Sequence, residues 1–447
     1  MDNPVPSVRK ISVDIYRKAI ENGVFADALL AEAFRKHRFT QRDKNLLIEI
    51  VNGALRWRGQ LEWLLNQCFH GCFEDASSRL KSILAVSLYQ LRFLDRVPNY
   101  AAINEGVEQA KQEGGKRWGN LVNAVLRNYL RKENSLKLPS FREAPIQGLA
   151  INFSPPEWMV RRWLERYGLQ ETKLLCEQNN RRPVTTLRVN TRRTSANRLI
   201  KDLNNAGFEA EKSHYFDDFI KVSSLQDLTT LSAFKDGHFA VQDESTAIAA
   251  RLLAPRKGER VLDMCAAPGG KACYLTNMMQ DTGCVIAVDR SHPRVHMLKQ
   301  NIERLKLEKI QPIVADSTKL PVVKVDKILL DAPCSGLGVL SRRADLRWKR
   351  TLNDIHRIRK LQSSLLDSAS RNLKKDGVLV YSTCTIEPEE NEFIIDWFLK
   401  QHGDYRIDPF DIGVGSNLQP DENGFWQTLP HKHHIDGTFS VRLIKLK

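Results

Sequence analysis

The residues of this chain best suited to do chemistry lie in three short stretches of its C-terminal half. VLDMCAAPGGKA, Val261 to Ala272, joins the end of an apolar strand to a helix through a turn of small residues and proline. A strand, a Gly-Gly turn and a helix N-terminus together present bare backbone N–H groups, which suits a phosphate, a carboxylate or an adenosyl group. Each of the other two stretches holds a cysteine, Cys334 in DAPCSG and Cys384 in YSTCT. A thiolate is a strong nucleophile once its surroundings favour the charge, and a second thiol beside it can move a proton.

These groups need a scaffold that brings them together. CVIAVDR is a second apolar run ending in Asp289, QPIVADS a third ending in Asp316, and KILLDAPCSGLG a fourth with Asp331 at its end. GVLVYSTCT is a fifth and ends at Cys384. Between them lie helical patterns, including 353–373, and TFSVRLIKLK closes the chain as an alternating strand. VQDESTAIAARLLAP (241–255) reads as an amphipathic helix leading in. Strands alternating with helices predict an open, doubly wound α/β sheet, with the acids and both thiols along its carboxyl edge. Asp289 lies 26 positions after Asp263, the distance expected of a carboxylate that takes ribose hydroxyls. The turn has neither G-x-G-x-x-G spacing nor a G-x-x-x-x-G-K-[ST] loop, which argues against a dinucleotide or a nucleoside triphosphate.

Upstream, residues 1–135 carry apolar side chains at helical spacing: Leu47, Ile50, Val51, Ala54, Leu55, Leu61, Leu64 and Leu65 follow a capping Thr40. The pattern continues through six or seven helices, broken at Pro98 and Gly114–Gly115. Residues 136–155 are polar and Pro-bearing, a linker by composition. Residues 156–240 read as a small α+β segment, with strands at TTLRVNT and FEAEKS around a helix.

The net charge is +15 over 447 residues and is positive in every segment, which suits a polyanion held over a long footprint. Arg9, Lys10, Arg35, Lys36, Arg38, Arg42, Lys116 and Arg117 are candidate phosphate contacts in the helical part. Arg181, Arg182, Arg188, Arg192 and Arg193 form a second basic cluster. SRRADLRWKR supplies a third, in which Arg342, Arg343, Arg347 and Lys349 offer phosphate contacts and Trp348 a stacking surface. No run approaches the roughly 18 apolar residues of a membrane span, so no membrane partner is expected. Eight cysteines without an apolar signal core fit a reducing cytoplasm. Neither Cys68/Cys72 nor the His431, His433, His434 loop has partners at ligand spacing, so no metal is expected.

VLDMCAAPGGKA, DAPCSG and YSTCT together resemble the S-adenosylmethionine site of the RNA cytosine-5 methyltransferases. Over nearly its whole length the chain is similar to the bacterial small-subunit (16S) ribosomal RNA methyltransferase B family, also called Fmu or Sun. VPNYAAINEGVEQAK and NLVNAVLRN resemble the antitermination factor NusB, which the family carries as an N-terminal RNA-binding domain. The resemblance implies a Rossmann-like S-adenosylmethionine methyltransferase domain at 241–447, a NusB-like bundle at 1–135 and a small RNA-binding extension at 156–240. Cysteine addition to C6 of cytosine would make C5 nucleophilic towards the methyl donor.

By that resemblance Cys384 is the nucleophile and Cys334 assists release, although DNA enzymes use the Pro-Cys cysteine, so the roles are open to reversal. Asp331 would meet the cytosine N3/N4 edge or the donor's amino acid end, and Lys271 would orient the donor or place a charge near Asp331. Asp289 would hold the ribose and Asp316 the adenine amino group, while Cys265, Ala266, Ala267, Pro268, Gly269 and Gly270 would supply backbone contacts. Ala344 stands where the family usually has proline, which weakens the carry-over for that loop alone. The implied function is methyl transfer to a small-subunit ribosomal RNA cytidine by a monomer. The same chemistry on transfer RNA is the related alternative, and a non-catalytic RNA-binding or antitermination factor the distant one.

Overall fold

A computed structural model of the chain describes residues 7–223, 227–415 and 417–446. The fold divides into two units, Met1–Arg182 with Leu340–Lys349, and Pro183–Val339 with Arg350–Lys447.

The first unit is built from the helices Val8–Glu21, Ala26–Lys36, Gln41–Arg56, Arg58–Cys68, Ser78–Phe93, Asn99–Lys132, Pro145–Phe153 and Glu157–Asn180. Thr40 caps the third, its hydroxyl accepting from the Asp43 backbone N–H at 3.2 Å. The apolar positions read from spacing, Leu47 through Leu65, are all buried in one core. Each contributes about 1.5–3 kcal/mol if fully withdrawn from water. Asn99–Lys132 breaks at Gly114–Gly115, where Gly115 has φ 69°. The expected linker at 136–155 contains a helix, Pro145–Phe153: proline starts it, and Leu149 and Ala150 are buried against Val160.

SRRADLRWKR departs furthest from expectation. It is not a wholly open basic loop: Ala344, Asp345, Leu346 and Arg347 are buried in the helical unit, and Arg343 is exposed. Arg347 is 1 % exposed. Its guanidinium donates to the backbone oxygen of Arg56 (3.1 Å), to Asn180 Oδ1 (2.9 Å) and to the Asn179 oxygen (3.2 Å). Trp348 Nε1 donates to the Leu55 oxygen at 2.7 Å, and Asp345 takes the Ala26 N–H and the Lys349 ammonium. Arg347, Trp348 and Lys349 are therefore spent inside the protein, and charge in the sequence gave no sign of that burial.

In the second unit a small antiparallel sheet has the order β2-β3-β1-β4, from β1 (Thr185–Val189), β2 (Glu209–Lys212), β3 (Phe219–Ser223) and β4 (Phe239–Val241). The helix Ala196–Asn205, capped by Ser195, covers it over Leu187, Val189, Leu199, Leu203 and Phe239. β3 and β4 add to the two strands expected. β4 takes the start of the amphipathic helix predicted at 241–255, so that helix runs only Thr246–Leu253. Arg188, expected at a basic surface, is 2 % exposed. It donates to Gln242 at 2.7 Å and lies 4.8 Å from the Tyr274 ring centre. Its place on β1 faces inward, so it cannot meet a phosphate.

The larger sheet is formed by β5 (Arg260–Asp263), β6 (Cys284–Asp289), β7 (Ile310–Val314), β8 (Val325–Asp331), β9 (Leu373–Thr383), β10 (Tyr405–Ile407), β11 (Trp426–Gln427) and β12 (Phe439–Lys445). Its order is β10-β12-β9-β8-β5-β6-β7, with β11 beside β12. β5 to β9 run parallel; β12 pairs antiparallel with β9, and β10 and β11 pair antiparallel with β12. This is the expected Rossmann-like sheet. The chain leaves β5 towards β6 and β7, then returns to β8 and β9 on the other side. That reversal opens a crevice at the carboxyl ends of β5 and β8. Among the described residues no helix is long and apolar enough to cross a membrane.

Candidate active site

The turn after β5 is stitched to both neighbouring strands: Met264 N–H donates to the Leu329 oxygen (3.0 Å) and Ala266 N–H to the Val288 oxygen (2.9 Å). Gly269 then enters the helix Gly270–Met278 at φ 104°, a conformation open to glycine but strained for other residues. A Cβ there would also come within 2.4 Å of Leu298 Cδ1, so glycine is required twice over.

Asp263 ends β5 fully buried, and neither of its carboxylate oxygens has a well-aligned donor. Burial, reinforced by the nearby Asp331, lifts its carboxyl to about 7, against the opposing pull of Lys271 and the Cys265 N–H. Asp289 is also buried, accepting from Ser291 N–H (2.9 Å) and Ala267 N–H (3.3 Å), with Arg294 Nη1 at 3.6 Å. Asp316 is exposed and takes the Thr318 N–H (3.0 Å) and hydroxyl (2.8 Å), bonds that hold its carboxyl below the usual range. A cavity of about 110 Å³ runs along these strand ends, lined by Cys265, Asp289, Arg294, Asp316, Pro333 and Leu361 among others.

The second half of the crevice lies at the ends of β8 and β9. Their register sets Asp331 opposite Ser382. Each strand then continues into a cysteine loop, so Cys334 and Cys384 lie just beyond the strands rather than on them. The two Sγ atoms are 3.0 Å apart, and the Cys384 N–H points at Cys334 Sγ from 3.3 Å. Cys334 is driven well above the ordinary thiol value by its hydrogen bond with Cys384, by burial and by the charge of Glu390. Asp331 accepts from Lys271 Nζ (2.7 Å) and from the Ser382 hydroxyl (2.8 Å). Burial pulls the Lys271 ammonium down, and Asp331 outweighs it, leaving Lys271 above the usual lysine value. A cavity of about 50 Å³ touches Lys271, Asp331, Cys384, Thr246 and Asp436.

The fold brings six of the residues singled out from sequence to one crevice. Cys265, Asp289 and Asp316 line its β5–β7 half, and Lys271, Asp331 and Cys384 its β8–β9 half. Lys271 pairs with Asp331, the second of its two expected placements. Asp263 was missed as a site residue, although it ends an apolar run just as the other three acids do.

The N-terminal residues 6–131 match the NusB family, 155–229 the ferredoxin-like domain of RsmF/B-like methyltransferases, and 250–444 the family described as 16S rRNA methyltransferase RsmB/F. The probable ribosomal RNA small subunit methyltransferase B of Bacillus subtilis is 33% identical over 98% of this chain and 99% of its own length. The chain belongs to that family. The ribosomal RNA small subunit methyltransferase B of Escherichia coli is 32% identical over the same shares. Among solved structures, PH0851 covers 100% of both chains with TM-score 0.83 and 27% identity. NSun6 from Pyrococcus horikoshii, solved with SFG, covers 64% of this chain and 97% of its own, with TM-score 0.59 and 26% identity.

The cofactor of this methyltransferase is S-adenosylmethionine, and the crevice fits it. The two buried oxygens of Asp263, with no well-aligned donor among the described residues, suit a cation, and the amino acid end of the cofactor carries an ammonium beside its sulfonium.

Proposed function

We propose that the protein transfers a methyl group from S-adenosylmethionine to C5 of a cytidine in small-subunit ribosomal RNA, through a covalent adduct between Cys384 and C6. The observation that carries this reading is the 3.0 Å approach of the Cys334 and Cys384 sulfurs next to the Lys271–Asp331 pair. The names of the family and its relatives supply the ribosomal RNA.

Asp289 and Asp316 would hold the ribose and the adenine amino group, the backbone from Cys265 to Gly270 would line the cofactor, and Asp263 would face its amino group. When bound, S-adenosylmethionine supplies an electrophilic methyl. The target base must leave its stack to enter the small cavity beside Cys384. There Cys384, reacting as the thiolate, bonds to C6 through sulfur, and the C5–C6 double bond opens to place its electron pair at C5. Asp331, held by Lys271 and Ser382, would meet the N3/N4 edge as an acceptor for the N4 amino group. Once C5 carries the methyl, its proton passes to a base. The Cys384–C6 bond then breaks and the ring regains its double bond. Cys334, its sulfur 3.0 Å from that of Cys384, is placed to move a proton at release.

Replacing Cys384 with Ala is expected to abolish methyl transfer. Replacing Cys334 with Ala is expected to leave protein and RNA covalently joined. An adduct from the Cys384 variant and none from the Cys334 variant would reverse the two roles. Bisulfite sequencing of ribosomal RNA from cells lacking the protein tests the substrate: one cytosine methylation should disappear, and an unchanged map would refute it.

A further inference from the structure

Two adjacent residues just beyond YSTCT, Glu390 and Asn391, hold both cysteine loops. Glu390 Oε2 accepts the Ser335 backbone N–H at 2.8 Å and the Gln362 side-chain amide at 3.1 Å. The same Gln362 amide donates to the Pro333 oxygen at 2.9 Å. Both sequence neighbours of Cys334 are thereby fixed. Asn391 Oδ1 accepts the Thr383 hydroxyl at 2.7 Å, and its amide donates to the Thr385 oxygen at 3.0 Å. Both neighbours of Cys384 are thereby fixed as well. The Ser335 and Thr385 hydroxyls meet at 2.8 Å and tie the loops to each other. Glu390, Asn391, Gln362, Ser335, Thr383 and Thr385 are all buried, so water cannot compete for these bonds. The Tyr381 hydroxyl, donating to the Glu390 backbone oxygen at 2.7 Å, anchors the pair to β9.

We propose that Glu390 and Asn391 are positioning residues that set the separation of the Cys334 and Cys384 sulfurs, each governing one loop. The importance of that separation rests on the reading of the two cysteines as the reacting pair; the separation itself is measurable without RNA. Glu390 makes its loop contacts through one oxygen only, and the other has no partner. Burial raises its carboxyl to about 7. Glutamine in its place offers one acceptor oxygen to the same two donors, whereas alanine offers none. Asp at 391 keeps an acceptor for Thr383 but sets an oxygen against the Thr385 carbonyl.

The test is disulfide formation by diamide in the full-length protein, followed by mass spectrometry of the Cys334–Cys384 peptide pair. Two S–H bonds break, one S–S bond forms, and the azo group of diamide is reduced to a hydrazine by the two electrons and two protons. Cross-linking is expected to slow at least about tenfold in Glu390→Ala, Asn391→Ala and Asn391→Asp, and to stay near wild type in Glu390→Gln. S-adenosylmethionine affinity, expected within about threefold of wild type, reports that a variant is folded. Methyl transfer should lose about 10²-fold in kcat, with KM for RNA little changed.

Unchanged cross-linking in the Ala variants overturns the proposal. So does slowing in Glu390→Gln equal to that in Glu390→Ala, which would make the residue merely structural. If the Ala variants do not bind the cofactor, Asn391→Asp against Glu390→Gln decides alone: slower cross-linking in Asn391→Asp supports the clamp, and equal rates or the reverse order overturn it. Slowed cross-linking with undiminished methyl transfer leaves the clamp standing and refutes the reading of the cysteine pair.

Discussion

Asp263, at the end of β5, has two buried oxygens and no aligned donor, whereas Asp331, at the end of neighbouring β8, has Lys271 on one oxygen and Ser382 on the other. The contrast extends along the crevice. In the β5–β7 half Asp263 has no well-aligned donor among the described residues, and Asp316 is held only by Thr318 of its own loop. In the β8–β9 half Asp331 is held by part-buried bonds from Lys271 and Ser382, and the Cys334 and Cys384 sulfurs meet at 3.0 Å. A ligand that comes and goes needs groups it can satisfy on arrival; atoms that must react need positions that do not change. On the proposed mechanism the first half binds and the second reacts.

Substitutions in the two halves should separate binding from rate. Cys384→Ala should lower methyl transfer by about 10⁴-fold or more while S-adenosylmethionine still binds, as measured by single-turnover assay and calorimetry. Asp331→Ala, which frees Lys271 as an unpaired buried cation, should lower kcat by about 10²–10³-fold, again with the smaller effect on cofactor affinity. Equal losses of rate and affinity in that variant would erase the distinction between the halves.

Asp263→Asn should do the reverse, weakening the cofactor about ten- to a hundredfold. It also tests the charge. The folded protein holds the Asp263 proton up to about 7 against an ordinary value of 3.8. The folded state therefore binds more protons than the unfolded state between about pH 4 and 7. Stability of the free protein should fall as pH rises through that window, by about 1.4 kcal/mol per unit at most. A cation beside the carboxyl favours its charged form, so cofactor affinity should fall as pH drops below about 7. In Asp263→Asn both pH dependences should flatten, and Tm above pH 7 should rise. A lower Tm would mean that Asp263 is satisfied in the free protein.

Gly269→Ala sharpens the comparison at the entry to the cofactor half. Strain at φ 104° and the clash with Leu298 should lower stability by about 2–4 kcal/mol, measured by chemical denaturation. The smallest effect belongs to exposed Arg35 in the helical unit: Arg35→Gln should change stability by less than about 0.5 kcal/mol.

Periodicity carried most of the fold. The Leu47–Leu65 positions and the five parallel strands follow from spacing, because burying a face demands it. Burial of polar residues was not legible. Arg188 and Arg347 carry the same charge as Arg35 in the sequence, yet both are enclosed by carbonyls, amides or an aromatic ring supplied from distant segments. Asp263 served only to count residues, since its lack of partners exists only once β5, β6 and β8 are assembled. Glu390 and Asn391 were silent for the same reason: their partners lie up to 55 residues away. The thiols were legible because DAPCSG and YSTCT each end a strand, and parallel strands of one sheet end on the same edge.

The most direct test of the account is a denaturing gel of the Cys334→Ala protein after incubation with small-subunit ribosomal RNA and S-adenosylmethionine. A nuclease-sensitive band of slowed mobility should accumulate with that variant and be absent when Cys384 is also replaced. A band that survives loss of Cys384, or appears only when Cys384 is replaced and Cys334 kept, would contradict it.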